Sequence, residues 1–117
     1  MPGTVLIIDD HDDFRASARA LLEADGFQVI GEAGDGGSGV RLARELRPSI
    51  VLLDIALPDL DGFAVAGQLA DLPDPPSVVL ISSRERSAYG RRIDAAAARG
   101  FLSKRQISGP AIAALVG

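Results

Sequence analysis

The chain has 117 residues, the length of one domain, and 47% of them are apolar, enough for a packed core. Lys and Arg number 12 against 16 Asp and Glu, and the resulting net charge of −4 argues against nucleic-acid binding by this chain. With no cysteine, disulfides, thiol catalysis and cysteine-based zinc sites are excluded.

Strand-like and helix-like stretches alternate from end to end. Thr4–Ile8 is short, β-branched and apolar, as a strand buried on both faces should be. That run is far too short for a signal peptide or membrane span, and no basic region precedes it, so a cytoplasmic protein without membrane contact is the default expectation. Residues 12–24 place Phe14, Ala18, Leu21 and Leu22 at helical spacing, with Asp12 or Asp13 as N-cap and Asp25-Gly26 as the stop. Residues 27–33 form a weaker strand broken by Gly31 and Glu32, which suits a sheet edge. Residues 38–46 make a short helix with Val40, Ala43 and Leu46 inward, ended by Arg47-Pro48. Residues 49–53 are a second buried strand.

The spacing predicts a third helix over 61–72, capped by Asp61, with Phe63, Ala66 and Leu69 facing in. Pro73-Asp74-Pro75-Pro76 is a stiff turn, and 77–81 a third buried strand. A helix with a small-residue face is expected over 87–99, a short strand over 100–103, and a last helix over 108–116 with Pro110 in its first turn. This is (βα)₅, which implies right-handed crossovers and a doubly wound parallel α/β sheet with helices on both faces. No repeat, low-complexity tract or linker interrupts it.

The chemistry lies where apolar runs stop. Val5-Leu6-Ile7-Ile8 runs into Asp9-Asp10, Ile50-Val51-Leu52-Leu53 into Asp54, Val78-Val79-Leu80-Ile81 into Ser82, and Phe101-Leu102-Ser103 into Lys104. The carboxyl ends of parallel strands share one edge, where ligands bind, so these residues should converge. Buried, unpaired carboxylates are costly, and a divalent oxygen-liganded cation such as Mg²⁺ resolves their repulsion. Three carboxylates and one ammonium describe a site for a hard cation plus a phosphoryl group, and the Ser82 hydroxyl, by itself an ordinary strand-end serine, could donate to a phosphoryl oxygen there.

Taken with Asp54-Ile55-Ala56-Leu57-Pro58-Asp59-Leu60-Asp61-Gly62, these segments resemble a response-regulator receiver domain of two-component systems over essentially the whole chain. The resemblance implies a flavodoxin-like sheet of order 2-1-3-4-5. It implies a signalling domain that catalyses only its own phosphorylation and dephosphorylation. Asp54 would be the phosphoacceptor for a sensor histidine kinase. Asp9, Asp10, Asp54 and the backbone carbonyl of Ala56 would hold Mg²⁺, or Mn²⁺ in its place. Lys104 would offset charge on the transferring oxygens, Ser82 would be the switch hydroxyl, and Phe101 the aromatic switch. Pro58 and Gly62 would shape the loop after Asp54. Phosphorylation would change the face formed by the fourth helix, fifth strand and fifth helix. The chain departs from the family in having Arg105 where proline often follows the lysine, and serine where threonine is the commoner switch.

Asp9-Asp10-His11 and Arg105 resemble the LuxR/NarL-type transcription-factor subclass, whose helix-turn-helix output would lie beyond Gly117. Partners would then be a sensor kinase and the output domain or a second copy. His11 reads as a solvated loop residue. Rival readings are a stand-alone phosphoryl carrier and an unphosphorylated interaction module, although such modules usually lack an acid or the lysine. A haloacid-dehalogenase-type phosphatase would want an acid at Ala56. Gly34-Asp35-Gly36-Gly37-Ser38-Gly39 also fits a dinucleotide-binding G-x-G-x-x-G, but that reading leaves Asp9, Asp10, Ser82 and Lys104 idle.

Overall fold

The computed structural model describes residues 3–116. Five strands alternate with helices: β1 (Thr4–Ile8), α1 (Asp12–Ala24), β2 (Gln28–Ala33), α2 (Gly36–Leu46), β3 (Ile50–Asp54), α3 (Gly62–Ala70), β4 (Ser77–Ser82), α4 (Arg91–Ala95), β5 (Gly100–Ser103) and α5 (Gly109–Val116). The sheet order is β2-β1-β3-β4-β5, and every pairing is parallel. Strand alternation divides the core. Leu6, Ile8, Val51, Leu53, Val78 and Leu80 face one layer of helices, where α2 and α3 contribute Val40, Ala43, Val65, Ala66 and Leu69. Val5, Ile7, Ile50, Leu52, Val79 and Ile81 face the other, with Ala18, Leu22 and Ile112 of α1 and α5. Burial on both faces is why the central strands read as unbroken apolar runs.

The edge strand explains its own irregularities. Between Val5 and Leu6 the pairing with β2 skips one residue, so Leu6 faces Gly31. A Cβ at Gly31 would lie 2.9 Å from Leu46 Cδ1, so the gap accepts only glycine without movement. Glu32 takes two guanidinium partners from α1, Arg15 at 3.1 Å and Arg19 at 2.5 Å.

Four local expectations need correction. Neither Asp12 nor Asp13 caps α1; both lie in its first turn, and His11 is the N-cap without a side-chain bond. Their charges still favour that helix end. Leu21 and Leu46 are only partly covered, 38% and 40% exposed, because the buried stripes of α1 and α2 are centred on Ala18 and Leu22 and on Val40 and Ala43. The helix expected over 87–99 is broken. A 3₁₀ turn spans Arg86–Ala88, Gly90 takes φ +56°, and α4 stops where Ala96 turns extended. Ile93 is the one buried residue between Ser83 and Arg99. Alanine propensity without an apolar stripe does not sustain a helix.

Candidate functional site

Asp9, Asp54, Ser82 and Lys104 lie at the carboxyl ends of β1, β3, β4 and β5, on one edge of the sheet. Asp9 is fully buried and Asp54 is 3% exposed. Lys104 begins a 3₁₀ turn, Lys104–Gln106, directly after β5. Its Nζ lies 2.6 Å from Asp9 Oδ2 and 3.4 Å from Asp54 Oδ2. The Phe14 ring lies under the same ammonium, 4.5 Å from its centroid, which holds the cation without competing for its protons.

Local backbone fixes both acids. The Asp9 N–H donates to the Ala33 carbonyl at 2.9 Å, and Arg15 donates to the Asp9 carbonyl from the α1 side. Asp9 Oδ1 accepts from the His11 N–H at 2.8 Å. Asp54 Oδ1 accepts from the Ala56 N–H at 3.1 Å. Gly62 is what lets α3 begin so close: a Cβ there would stand 2.5 Å from both the Asp54 carbonyl oxygen and the Ile55 Cα. The Gly62 N–H donates to the Ile55 carbonyl at 2.8 Å, closing the loop beneath Asp54.

The electrostatics are unbalanced. Burial pushes the Asp54 carboxyl above its ordinary value, and the negative charge of Asp9 adds to that; Lys104 and the Ala56 N–H pull the other way. Lys104 approaches Asp9 Oδ2 off the hydrogen-bonding direction, and that buried oxygen has no hydrogen-bond partner. Asp10 is a third of the way into solvent, at 34% exposure. His11 is more exposed, yet its Nδ1 lies 3.2 Å from carboxylate oxygens of both Asp9 and Asp10. Atoms of Asp9, Asp10, His11 and Asp54 lie within 4.8 Å of one another. Hard carboxylate oxygens, one without a hydrogen bond, fit a hard divalent cation. The Ala56 carbonyl is free for the same role, since no hydrogen bond reaches it among the described residues.

A family model described as "Response regulator receiver domain" matches residues 5–115. The chain belongs to the response-regulator receiver domains. It is 42% identical over 106 residues to the transcription regulator of virulence factors BvgA of Bordetella pertussis, covering 91% of this chain and 51% of that protein. It is 46% identical over 80 residues to the transcriptional regulatory protein LiaR of Bacillus subtilis, covering 67% of this chain and 38% of that one. The receiver domain of the response regulator NarL from Mycobacterium tuberculosis superposes with a TM-score of 0.89 at 30% identity, covering 98% and 96% of the two chains. The receiver therefore spans about half the length of BvgA. No helix among its described residues is long and apolar enough to cross a membrane.

Within the receiver, the remaining expected residues divide. Ser82 is 2% exposed, but its Oγ is engaged by the Tyr89 hydroxyl at 2.6 Å and the Arg84 N–H at 3.0 Å, not by Asp54. Phe101 is half-buried against Tyr89, with ring centroids 6.0 Å apart. Arg105 pairs with Glu85 at 2.8 Å, tying the turn after Lys104 to the one after β4. Nothing in the spacing singles out Tyr89; its one sequence signal is that it is the chain's only tyrosine.

The glycine-rich loop also has a local explanation. Asp35 caps α2 by accepting from the Ser38 N–H at 2.7 Å. The Gly36 and Gly37 N–H groups donate to the Asp59 carboxylate at 2.8 and 2.9 Å. Those two bonds hold the Asp59 carboxyl below its ordinary value. Asp59 thus occupies the helix N-terminus that a dinucleotide phosphate would need. Gly39 serves packing, since a Cβ there would meet Ile8 Cδ1 at 2.5 Å.

Proposed function

We propose that this receiver is switched by phosphorylation of Asp54. What supports the reading is one observation: a carboxylate that burial holds above its ordinary pKa, touching a lysine and lying beside two more acids. An Asp54 oxygen attacks the phosphorus of a phosphohistidine on a sensor kinase. The new P–O bond forms as the P–N bond breaks, and the imidazole leaves. Lys104 has an oxygen-sized reach to Asp54 and offsets charge on the transferring group. Ser82 donates to a phosphoryl oxygen once its hydroxyl turns toward Asp54. Asp9, Asp10, Asp54 and the Ala56 carbonyl would hold Mg²⁺, or Mn²⁺ in its place. When bound, the ion supplies positive charge beside the phosphoryl oxygens.

Phosphorylation adds roughly one to two negative charges to a site that already carries three acids against one ammonium. Ser82 and Phe101 reposition, changing the face built from α4, β5 and α5. Its readout is a DNA-binding output domain following this receiver, as in transcription regulators twice its length, or a second copy of the chain. Intact-mass spectrometry after incubation with acetyl phosphate and Mg²⁺ tests the reading. A single phosphoryl adduct, lost on chelation and absent in Asp54→Asn, is expected. An adduct that persists in Asp54→Asn refutes the assignment.

A further inference from the structure

We propose that Tyr89 is a positioning residue for Ser82: its hydroxyl holds the Ser82 hydroxyl in the resting state and releases it when the phosphorylated state forms. The inference rests on the phosphorylation reading above and adds a residue to it. The contact between Ser82 Oγ and the Tyr89 hydroxyl is short, 2.6 Å, and Ser82 is buried. A serine hydroxyl has one proton and two lone pairs. The Arg84 N–H takes one lone pair at 3.0 Å. If Ser82 donates to Tyr89, no proton is left for a phosphoryl oxygen. If Tyr89 donates, the second lone pair is spent and Oγ is held at Tyr89. In both cases moving Oγ toward Asp54 breaks the contact.

The tyrosine ring is held as firmly as its hydroxyl. Phe63 of α3 and Phe101 of β5 both pack on it, each with its ring centroid 6.0 Å from that of Tyr89. Arg92 of α4 covers Phe63 at 4.3 Å and pairs with Asp61 at 2.7 Å. Tyr89 is therefore the point where Ser82, Phe101 and the segment leading into α4 meet. The residues around it are weakly held: Ser83 to Ala88 are all exposed, and Gly90 has open space about its α-carbon. Apart from exposed ion pairs such as Glu85 with Arg105, Tyr89 is the side chain between Ser83 and Arg92 that packs inward, so release of its hydroxyl loosens that segment. Phe101, packed on the same ring, moves with it. This contact is a built-in restraint on the resting state.

The chain carries its own reporter, because Tyr89 is its only tyrosine and there is no tryptophan. Tyrosine emission is followed while the whole chain is titrated with beryllofluoride in Mg²⁺, and affinities are measured in parallel by calorimetry. The wild-type emission should change on binding. Tyr89→Phe keeps the ring and removes the restraint, so it should bind beryllofluoride about three- to tenfold more tightly, the scale of one hydrogen bond. In a Ser82→Ala background the same substitution should have no effect, since the partner hydroxyl is gone. Unchanged or weaker binding by Tyr89→Phe overturns the proposal, as does an equal effect with and without Ser82. So does constant wild-type emission while calorimetry records binding. If calorimetry finds no binding in any of the four proteins, the phosphorylation reading falls, and this inference with it.

Discussion

Replacing Asp54 by asparagine should make the resting domain more stable. At an effective dielectric of about 20, Lys104 at 3.4 Å attracts the Asp54 charge by about 5 kcal/mol. Asp9, with a carboxylate oxygen no more than 4.8 Å away, repels it by at least about 3.5 kcal/mol. The net attraction is then no more than about 1.4 kcal/mol. Removing a carboxylate from water costs several kcal/mol, so the ionised group is a net burden on the fold. Asparagine keeps the acceptor for the Ala56 N–H and leaves Lys104 with Asp9, its nearer partner at 2.6 Å. The expected gain is about 1–3 kcal/mol, or about 4–12 °C in Tm for a domain of this size.

The assay is thermal unfolding with a chelator present, at a series of pH values. The folded Asp54 carboxyl lies above its ordinary pKa of 3.8. Below 3.8 it is protonated in both the folded and unfolded chains, so the two proteins differ little. As pH rises through the interval between 3.8 and the raised value, the unfolded chain ionises first and the wild type loses stability. The asparagine advantage should open across that interval and stay constant above it. An equal or lower Tm for Asp54→Asn at pH 7, or an advantage that does not vary with pH, would refute the electrostatic account.

Other substitutions test neighbouring parts of the argument. Lys104→Ala leaves Asp9 and Asp54 buried without a counter-charge and should cost about 3–5 kcal/mol at neutral pH, recovered in part on acidification; urea titration at two pH values reads both. Gly62→Ala drives a Cβ into the backbone of Asp54 and Ile55 and should cost about 1–3 kcal/mol, whereas Gly67→Ala, in open space on α3, should gain about 0.5–1 kcal/mol in the same assay. Asp59→Ala should speed hydrogen exchange at the Gly36 and Gly37 amides. Because the Asp59 carboxyl is held low, its stabilisation is complete above pH 3.8 and lost as pH falls through the lowered value, and the exchange difference should fade there.

The strands and the acids at their ends were legible because a parallel strand buried on both faces must be apolar throughout. Its first charged residue therefore marks the sheet edge, and that rule placed Asp9 and Asp54, while Lys104 follows the partly buried edge strand β5 and was reached only by its place in the pattern. Helix orientation was less legible. Leu21 and Leu46 fit an inward stripe by spacing alone, yet both stay more than a third exposed, outside the stripes that Ala18 and Leu22 and Val40 and Ala43 bury. The stretch from Ser83 to Arg99 misled for a different reason: its alanines favour a helix locally, but Ile93 is its one fully buried side chain, and Ala96 and Ala98 reach the core only in part. Asp59 and Tyr89 could not be read at all. Asp59 caps a helix 22 and 23 residues earlier in the chain, and Tyr89 meets partners from three separate elements.

The site's imbalance also bears on how a signal could leave it. Lys104 is shared unequally, closer to Asp9 than to Asp54, and its backbone opens the turn that follows β5. Under the proposed phosphorylation, charge added at Asp54 would draw the ammonium away from Asp9, and the buried Asp9 oxygen would lose its cationic neighbour. A cation held by Asp9 and Asp10 offsets that loss, so modification and metal binding should each favour the other. On the reading proposed above, the β4 side would respond through Ser82, whose resting partner Tyr89 lies in a segment that is exposed almost throughout. Buried strands thus position Asp9 and Asp54, while Ser82, the group proposed to move, is tied to a segment with one buried side chain. A stable α4 with a full apolar stripe would hold the resting contact more firmly and weaken the coupling. The break in that helix is consistent with a switch, and adding apolar residues at helical spacing around Ile93 should suppress the tyrosine emission change without altering the β1 and β3 acids.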